Sequence, residues 1–242
     1  MEGGLRAKGL PQKGLFAGKS KRPKGNPCQP KNHIRAKKPH LKANSLYGLI
    51  ALLLNKQVLN MSYLNEMNEA IARAARLQLK TPIFKPQKGL LLSAQTLQEI
   101  PEVIRDAIGT PPIEEIAAQC LSYHARILPA LSSYFGTELT YTIGYISMGE
   151  EKLYEQTEEQ MKDLIKNGIS KTQLNIHAWL TLPTCEIMDF TIQTTSAIIK
   201  KTKKGLGGVY AGHADNLSNN IRYHPMLLGE DYLRRIGALL EF

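Results

Sequence analysis

Two ionisable residues, His177 and Asp189, lie in consecutive apolar segments, QLNIHAWLTL (173–182) and EIMDFTI (186–192). Both segments are rich in β-branched and aromatic residues, which predicts two strands, and the short PTC segment between them predicts a turn. In an antiparallel hairpin, side chains on facing strands can approach closely enough for a hydrogen bond. A carboxylate that accepts from an imidazole fixes the ring tautomer and raises its basicity. The pair is therefore either a satisfied polar contact in a core or the base and orienting acid of a nucleophilic site.

The chain offers three candidate nucleophiles for such a site, Cys28, Cys120 and Cys185. Cys28 lies in a segment rich in Gly, Pro and Lys without a hydrophobic period, and Cys185 lies in the predicted turn between the two strands. Cys120 lies in a predicted helix that precedes the strands, so it is the candidate nucleophile. A thiol beside a histidine forms a thiolate near neutral pH, and the thiolate is the reactive form.

The competing interpretation is that Cys120 is a small buried hydrophobic residue. A helix is predicted to run from Thr110 to a stop at Gly136, because proline and glutamate occupy its first turn. Several apolar residues share one face of this helix with Cys120: Ile113, Ile116, Ala117, Ile127, Leu128 and Leu131. The catalytic interpretation needs a break between Gln119 and Cys120, because only a helix start favours a thiolate and an oxyanion.

The hydrophobic period predicts mainly helices ahead of a small set of strands. The predicted helices cover residues 45–80, 93–109, 110–136, 150–168 and 229–242, and the predicted strands cover residues 138–147, 173–182 and 186–192. The glycine-rich segment 200–225 is predicted to be a long loop. This order is typical of an α+β fold in which helices pack on a small antiparallel sheet.

Taken in order, these motifs resemble the transglutaminase-like branch of the papain-like cysteine enzymes. The helix of Cys120 ends at a glycine and is followed by LTYTIGYI (139–146), by HAWLTL (177–182) and by EIMDFT (186–191). The resemblance covers about residues 110–192, which is less than half of the chain.

The resemblance implies a transglutaminase-like core in which Cys120 is the nucleophile, His177 the general base and Asp189 the residue that orients the base. The implied chemistry is acyl transfer at an amide of a protein or peptide through a thioester, with hydrolysis, deamidation or cross-linking as outcomes. Hydrolysis needs only water as second substrate, so a protease, amidase or deamidase is expected ahead of a cross-linking enzyme. A noncatalytic binding module of the same fold is the alternative.

Three further residues are candidates for the same site. Gln119 precedes the nucleophile, so its backbone or side chain is a candidate oxyanion donor. Tyr145 and Trp179 are candidates for lining a substrate cleft, although core packing is the simpler interpretation of Trp179.

Near the end of the chain, a polar group (His213, Asp215, Arg222 and His224) is interpreted as solvated surface.

The positive charge of the chain is concentrated at its beginning. Of 31 Lys and Arg residues, twelve fall within residues 1–44 beside a single acidic residue, which leaves 19 basic and 20 acidic residues in 45–242. Residues 1–44 are predicted to be a disordered basic arm, and residues 45–242 a single α+β domain. A nucleic-acid-associated protein that acts through the arm is a further alternative, since such an arm can contact phosphates or acidic partners nonspecifically.

The composition also bears on cofactors and compartment. The odd cysteine count and the absence of a C-x-x-C spacing make a disulfide framework unexpected, so a reducing compartment, the cytoplasm, is predicted. No signal peptide is expected, and the most hydrophobic run, LYGLIALLL (46–54), is too short to span a bilayer. No cofactor or metal is implied. A metal site at Cys120, His124, His177 and Cys185 is conceivable, but these spacings match no standard zinc pattern.

Overall fold

A computed structural model describes residues 62–169, 175–217 and 220–238 of the chain. Its helices are α1 (Tyr63–Arg76), α2 (Ala94–Ile108), α3 (Ile113–Ile116), α4 (Cys120–Phe135), α5 (Glu158–Asn167), α6 (Ile192–Ile199) and α7 (Asp231–Ile236). Its strands are β1 (Thr140–Met148), β2 (Glu151–Leu153), β3 (His177–Thr181), β4 (Glu186–Asp189), β5 (Tyr210–His213) and β6 (Ile221–Leu228). The predicted basic arm and the beginning of the helix predicted from residue 45 lie outside the described residues.

The six strands form one antiparallel sheet, and β1 is its central strand. Residues 140–144 of β1 pair with β3, and residues 146–148 pair with β2. Residues 142–148 pair with β6 along the opposite edge of β1. Beyond β3 the sheet continues through β4 to β5. The predicted α+β class with helices on an antiparallel sheet is therefore confirmed.

Helices cover both faces of the sheet. Neighbouring residues of a strand point to opposite faces, so Leu180 and Trp179 of β3 show what packs on each face. On one face, Leu180 of β3 belongs to a hydrophobic cluster that includes Ile127 of α4 and Ile100 of α2. On the other face, Trp179 belongs to a second cluster that includes Met67 of α1. The sheet is thus held between the helix that begins at Cys120 and the first described helix.

The predicted continuous helix from Thr110 to Gly136 is wrong. The short helix α3 ends at Ile116, and the backbone then extends through Ala117 and turns through a left-handed conformation at Ala118, with φ of 57°. The amide of Ala118 donates to the side chain of Thr195, 3.0 Å away on α6. This long-range contact stabilises an interruption of the helix that the local apolar pattern does not indicate. A new helix, α4, begins at Cys120.

Three further boundaries differ from the sequence-based expectations. The helix predicted from residue 150 begins at Glu158, and β2 occupies the residues before it. The strand predicted to end at residue 192 ends at Asp189, because the chain turns there into α6. The loop predicted over residues 200–225 contains β5 and most of β6. Pro225 argues against a strand, because proline is tolerated only on an edge strand or at a bulge. In the structure the register of β6 against β1 shifts next to Pro225, so the proline is accommodated.

The described residues include no helix that is long and apolar enough to cross a membrane.

Gly144 of β1 is needed because two groups approach its Cα closely. A Cβ at this position would lie 2.5 Å from Cη2 of Trp179 and closer still to the backbone oxygen of His224. Since a buried indole and a sheet backbone cannot move away cheaply, we expect Gly144→Ala to lower the free energy of unfolding by about 3 kcal/mol. Urea denaturation followed by circular dichroism measures this loss.

Gly149→Ala is the matched control for this substitution. Gly149 has φ of 62°, and an added Cβ there would meet nothing within 4 Å. Its substitution should therefore cost only the backbone strain of about 1–2 kcal/mol. Equal losses for the two variants would show that the close approach to Trp179 does not constrain residue 144.

Candidate active site

Cys120 is the first residue of α4, with Gln119 as the preceding cap residue. The first N–H groups of a helix have no partner within the helix, and the helix dipole places partial positive charge there. The residue is 8% exposed, and its sulfur lies 3.8 Å from the carbonyl oxygen of Ile176, the residue before His177. The structure therefore places the cysteine at a helix start, where unpaired N–H groups can stabilise a developing oxyanion.

His177 begins β3 and is bound to Asp189 of β4. The imidazole Nε2 lies 2.6 Å from Oδ2 of Asp189. The pairing of Leu180 with Met188 places Asp189 across from Trp179, so His177 and Asp189 are diagonal neighbours on two facing strands. Because Nε2 is used by the carboxylate, Nδ1 is the nitrogen that remains for Cys120.

The surroundings of His177 favour its protonated form. Burial acts to lower the pKa of His177. The negative charge of Asp189, the Cys120 side chain and the hydrogen bonds to both residues outweigh burial and raise the pKa to about 10. At neutral pH the imidazole is therefore a cation between the Cys120 side chain and the Asp189 carboxylate.

Asp189 is fully buried, and each of its carboxylate oxygens accepts several hydrogen bonds. Oδ2 accepts from His177 and, at 3.0 Å, from the hydroxyl of Tyr223 on β6. Oδ1 accepts from the amide and hydroxyl of Thr191 and from the amide of Ile192. Burial alone would raise the pKa of Asp189, but the charge and hydrogen bond of His177 hold it well below its usual range, with smaller contributions from His124 and the Thr191 amide.

A second buried histidine, His124, joins the helix of Cys120 to the segment that follows β4. Its Nε2 accepts from the amide of Phe190, 3.2 Å away, so its Nδ1 carries the proton and donates to the carbonyl of Cys120 at 2.8 Å. Burial is the main cause that lowers the pKa of His124, to about 4, despite the nearby charge of Asp189. His124 is therefore a neutral link that fixes Cys120 relative to the residue after Asp189.

Two tyrosines complete the surroundings of the pair, and neither was assigned to it from the sequence. Tyr154 stacks on the His177 ring with centroids 5.1 Å apart and planes at 21°. It follows β2 in a left-handed conformation with φ of 70°, and no sequence signal marks it. Tyr223, which donates to Asp189, lies in the IRYHP segment (221–225). The sequence predicts a loop there, so it gives no reason to place Tyr223 beside a strand residue.

The remaining candidates of the sequence analysis do not all reach the pair. Gln119 is exposed beside Cys120, and its side-chain oxygen accepts from Ser122 at 3.2 Å. Trp179 is fully buried and donates its indole N–H to Tyr63, so it packs in the core and does not line an open cleft. Tyr145 stacks on His224, with centroids 4.4 Å apart, rather than on His177.

The metal alternative finds no support among the residues that the structure describes. No group of three or more His, Cys, Asp or Glu side chains there is arranged to hold a metal ion. Cys185 sits in the turn between β3 and β4 with φ of 60° and packs in the cluster of Trp179.

An apolar cavity of about 400 Å³ lies next to the site. Its walls include Tyr123, one helical turn after Cys120, and Phe190, which follows Asp189. These two rings also contact His124, whose Nε2 lies 3.9 Å from Oδ1 of Asp189. The volume falls in the range of small-molecule sites, so the cavity can accommodate an apolar group.

Comparison of the chain with protein-family models, with curated proteins and with solved structures finds no match.

Proposed function

We propose that this protein is a cysteine-dependent acyl-transfer enzyme with a transglutaminase-like (papain-like) core. Cys120 is the nucleophile, His177 the general base and acid, and Asp189 the residue that orients the imidazole. We infer that it hydrolyses an amide bond of a protein or peptide, as a protease, amidase or deamidase.

The observation that carries this proposal is the convergence of three separate elements on one imidazole. The start of α4 supplies the thiol, β3 supplies the histidine and β4 supplies a carboxylate 2.6 Å from Nε2. A buried structural histidine needs no thiol at a helix start, whereas a nucleophilic site needs the thiol, the base and the orienting acid together.

The proposed reaction follows from this arrangement. The thiol proton of Cys120 passes to His177, and the sulfur attacks the amide carbon. The carbonyl oxygen becomes an oxyanion beside the first N–H groups of α4. The imidazolium then gives its proton to the leaving amine as the C–N bond breaks, which leaves a thioester. Water, deprotonated by His177, attacks the thioester carbon and releases the carboxylic acid and the thiol.

We propose Gln119 as the side chain that assists the oxyanion. It occupies the cap position of α4 next to Cys120 in the chain, and its amide NH₂ group is the donor that this role requires. Since water suffices as second substrate, hydrolysis requires no second binding site for an amine.

We expect Cys120 to react with limiting iodoacetamide at pH 6.5 at least about tenfold faster than Cys185, because an imidazolium neighbour favours the thiolate. Cys185 is a matched internal control, since it is 7% exposed against 8% for Cys120. Burial is the main cause that raises the pKa of the Cys185 thiol, to about 11. Peptide mass spectrometry of the alkylated protein gives the rate at each site.

The variant His177→Gln tests whether the reactivity comes from the histidine. It should bring the rate at Cys120 down to that of an ordinary buried thiol and leave Cys185 unchanged. If Cys120 is labelled only after denaturation, or if its rate survives His177→Gln, the thiol is core packing and the fold is that of a noncatalytic binding module.

A further inference from the structure

A second set of polar side chains lies on β1, β6 and α1, apart from the cysteine site. The hydroxyl of Ser147 lies 2.9 Å from Nε2 of His224. The Nδ1 of the same ring lies 2.9 Å from Oε2 of Glu66. A serine, a histidine and a carboxylate are therefore joined in series, as in nucleophilic hydrolases.

The hydrogen bonds fix the direction of proton flow in this series. The carboxylate of Glu66 can only accept, so Nδ1 of His224 carries the proton that lies between them. In the neutral ring Nε2 is then the basic nitrogen, and the hydroxyl of Ser147 donates to it. This is the polarity that a serine needs in order to lose its proton to a base during attack.

The His224 ring is held in place and remains within reach of solvent. Tyr145 stacks on it at 4.4 Å with planes at 10°. The side chains of His224 and Glu66 are 12% and 23% exposed, so a small molecule can approach them. Ser147 is also partly exposed.

Two cations flank Ser147 on the neighbouring strands. The register places Lys152 of β2 directly opposite Ser147 on one edge of β1 and Arg222 of β6 directly opposite it on the other edge. Directly opposite residues of antiparallel strands point to the same face with Cβ atoms about 5 Å apart. Lys152 also binds Glu155 at 2.6 Å, and the Arg222 guanidinium lies 4.0 Å from Glu66. Both cations therefore keep positive charge on the strands beside Ser147, which favours an oxyanion that forms there.

We propose that Ser147, His224 and Glu66 form a second nucleophilic site, which takes small carboxylic esters. Oγ of Ser147 attacks the ester carbon while its proton moves to Nε2 of His224, and Lys152 and Arg222 face the developing oxyanion. The C–O bond to the leaving group breaks as the imidazolium returns that proton to the leaving alkoxide. Water then hydrolyses the acyl-serine, with His224 as base, and yields the carboxylic acid and free Ser147. The site does not depend on the cysteine chemistry, since it shares no residue with Cys120, His177 and Asp189.

The test uses the full chain carrying Cys120→Ala, which removes the thiol as a competing nucleophile. This protein is treated with a small alkyl fluorophosphonate, in which an activated serine displaces fluoride from phosphorus and the released proton passes through the adjacent base. We expect an adduct at Ser147, located by peptide mass spectrometry, and hydrolysis of p-nitrophenyl acetate that Ser147→Ala abolishes.

His224→Gln should lower the labelling rate of Ser147 by about 10²-fold, because the base is lost, and Glu66→Gln should lower it less. Ser133 is an exposed serine of α4 and serves as the control for adventitious labelling. Circular dichroism of each variant checks that it is folded. No adduct at Ser147 in the folded protein, labelling no faster than at Ser133, or a rate unchanged by His224→Gln would each overturn the proposal.

Discussion

Asp189→Asn is expected to lower the free energy of unfolding by about 3–5 kcal/mol and to remove the enhanced alkylation of Cys120. The stability loss follows because removing one charge of a buried, hydrogen-bonded pair leaves its partners without compensation. Asp189 accepts from His177, Tyr223, Thr191 and Ile192, and it has no exposed surface. An asparagine of nearly the same size keeps only one of the two acceptor oxygens.

The effect on Cys120 follows from the tautomer of the imidazole. If the remaining oxygen of the substituted side chain binds Thr191 and Ile192, its NH₂ group faces His177 and Tyr223. His177 must then present an unprotonated Nε2, which moves its proton to Nδ1, the nitrogen that faces the thiol. A ring in that tautomer cannot accept the proton of Cys120, so the thiolate is no longer favoured.

Urea denaturation and the alkylation rate at pH 6.5 measure the two effects separately. Asp106→Asn is the control, because Asp106 is an exposed carboxylate of α2, and it should change neither quantity appreciably. A variant that stays as stable as the wild type would show that the carboxylate charge is unimportant. Undiminished alkylation at Cys120 would show that Asp189 does not orient the base.

The hairpin of His177 and Asp189 was predictable because its signals are local. β-branched and aromatic residues mark each strand, and a short turn joins them, so antiparallel pairing and the proximity of the two side chains follow from the sequence alone. The helix of Ser93 was predictable for the same reason. Its Ser93 cap and its terminal Gly109 both appear in the structure as expected.

The start of α4 was not predictable, because its cause is distant in the sequence. Ala118 adopts φ of 57°, which a non-glycine residue rarely does, and Thr195 holds its amide from 77 residues away. The apolar pattern across residues 113–131 is continuous, so local periodicity alone favours one unbroken helix. The conformation that decides whether Cys120 sits at a helix start is therefore tertiary in origin.

The residues around His177 and His224 were not predictable, because they come from distant elements. Tyr223 lies on β6, Glu66 on α1 and Tyr154 in the segment after β2. Tyr223 and His224 alternate on one strand, and each reaches a different carboxylate, Asp189 and Glu66. Pro225 and the preceding glycine-rich residues favour a loop by local propensity. Pairing with β1 overrides that propensity, as a sheet edge can accept a proline at a bulge.

The stability of the folded domain is expected to fall steeply as pH rises from about 7 to 10, through the deprotonation of His177. Its pKa in the folded protein is about 10, well above the value of about 6.5 expected in the unfolded chain. A folded-state pKa that is raised contributes stability that is complete below the unfolded pKa. That stability is lost as pH rises through the folded pKa. While only the folded state holds this proton, the loss approaches about 1.4 kcal/mol per pH unit.

Asp189 acts in the opposite direction at the acidic end. Its pKa is held below the usual range, so its contribution is present above the unfolded value of about 3.9 and is lost as pH falls towards the folded value. Buried His124 acts in the same direction as Asp189, because its pKa is lowered from about 6.5 to about 4 and stability is therefore lost as pH falls through that range. The three residues together predict a stability maximum near pH 6.5. Urea denaturation at fixed ionic strength across pH 3–10 locates it.

The comparison of wild type with His177→Gln isolates the histidine, because glutamine can still donate to Asp189 but carries no titrating proton. His213→Gln is the control, since His213 is partly exposed and lies on β5 away from the buried pair. We expect the wild type to lose several kcal/mol more than His177→Gln between pH 7 and 10, whereas His213→Gln follows the wild type. Parallel losses in all three proteins would mean that His177 is neutral in the folded state, and the thiol of Cys120 would then face a free base rather than an imidazolium.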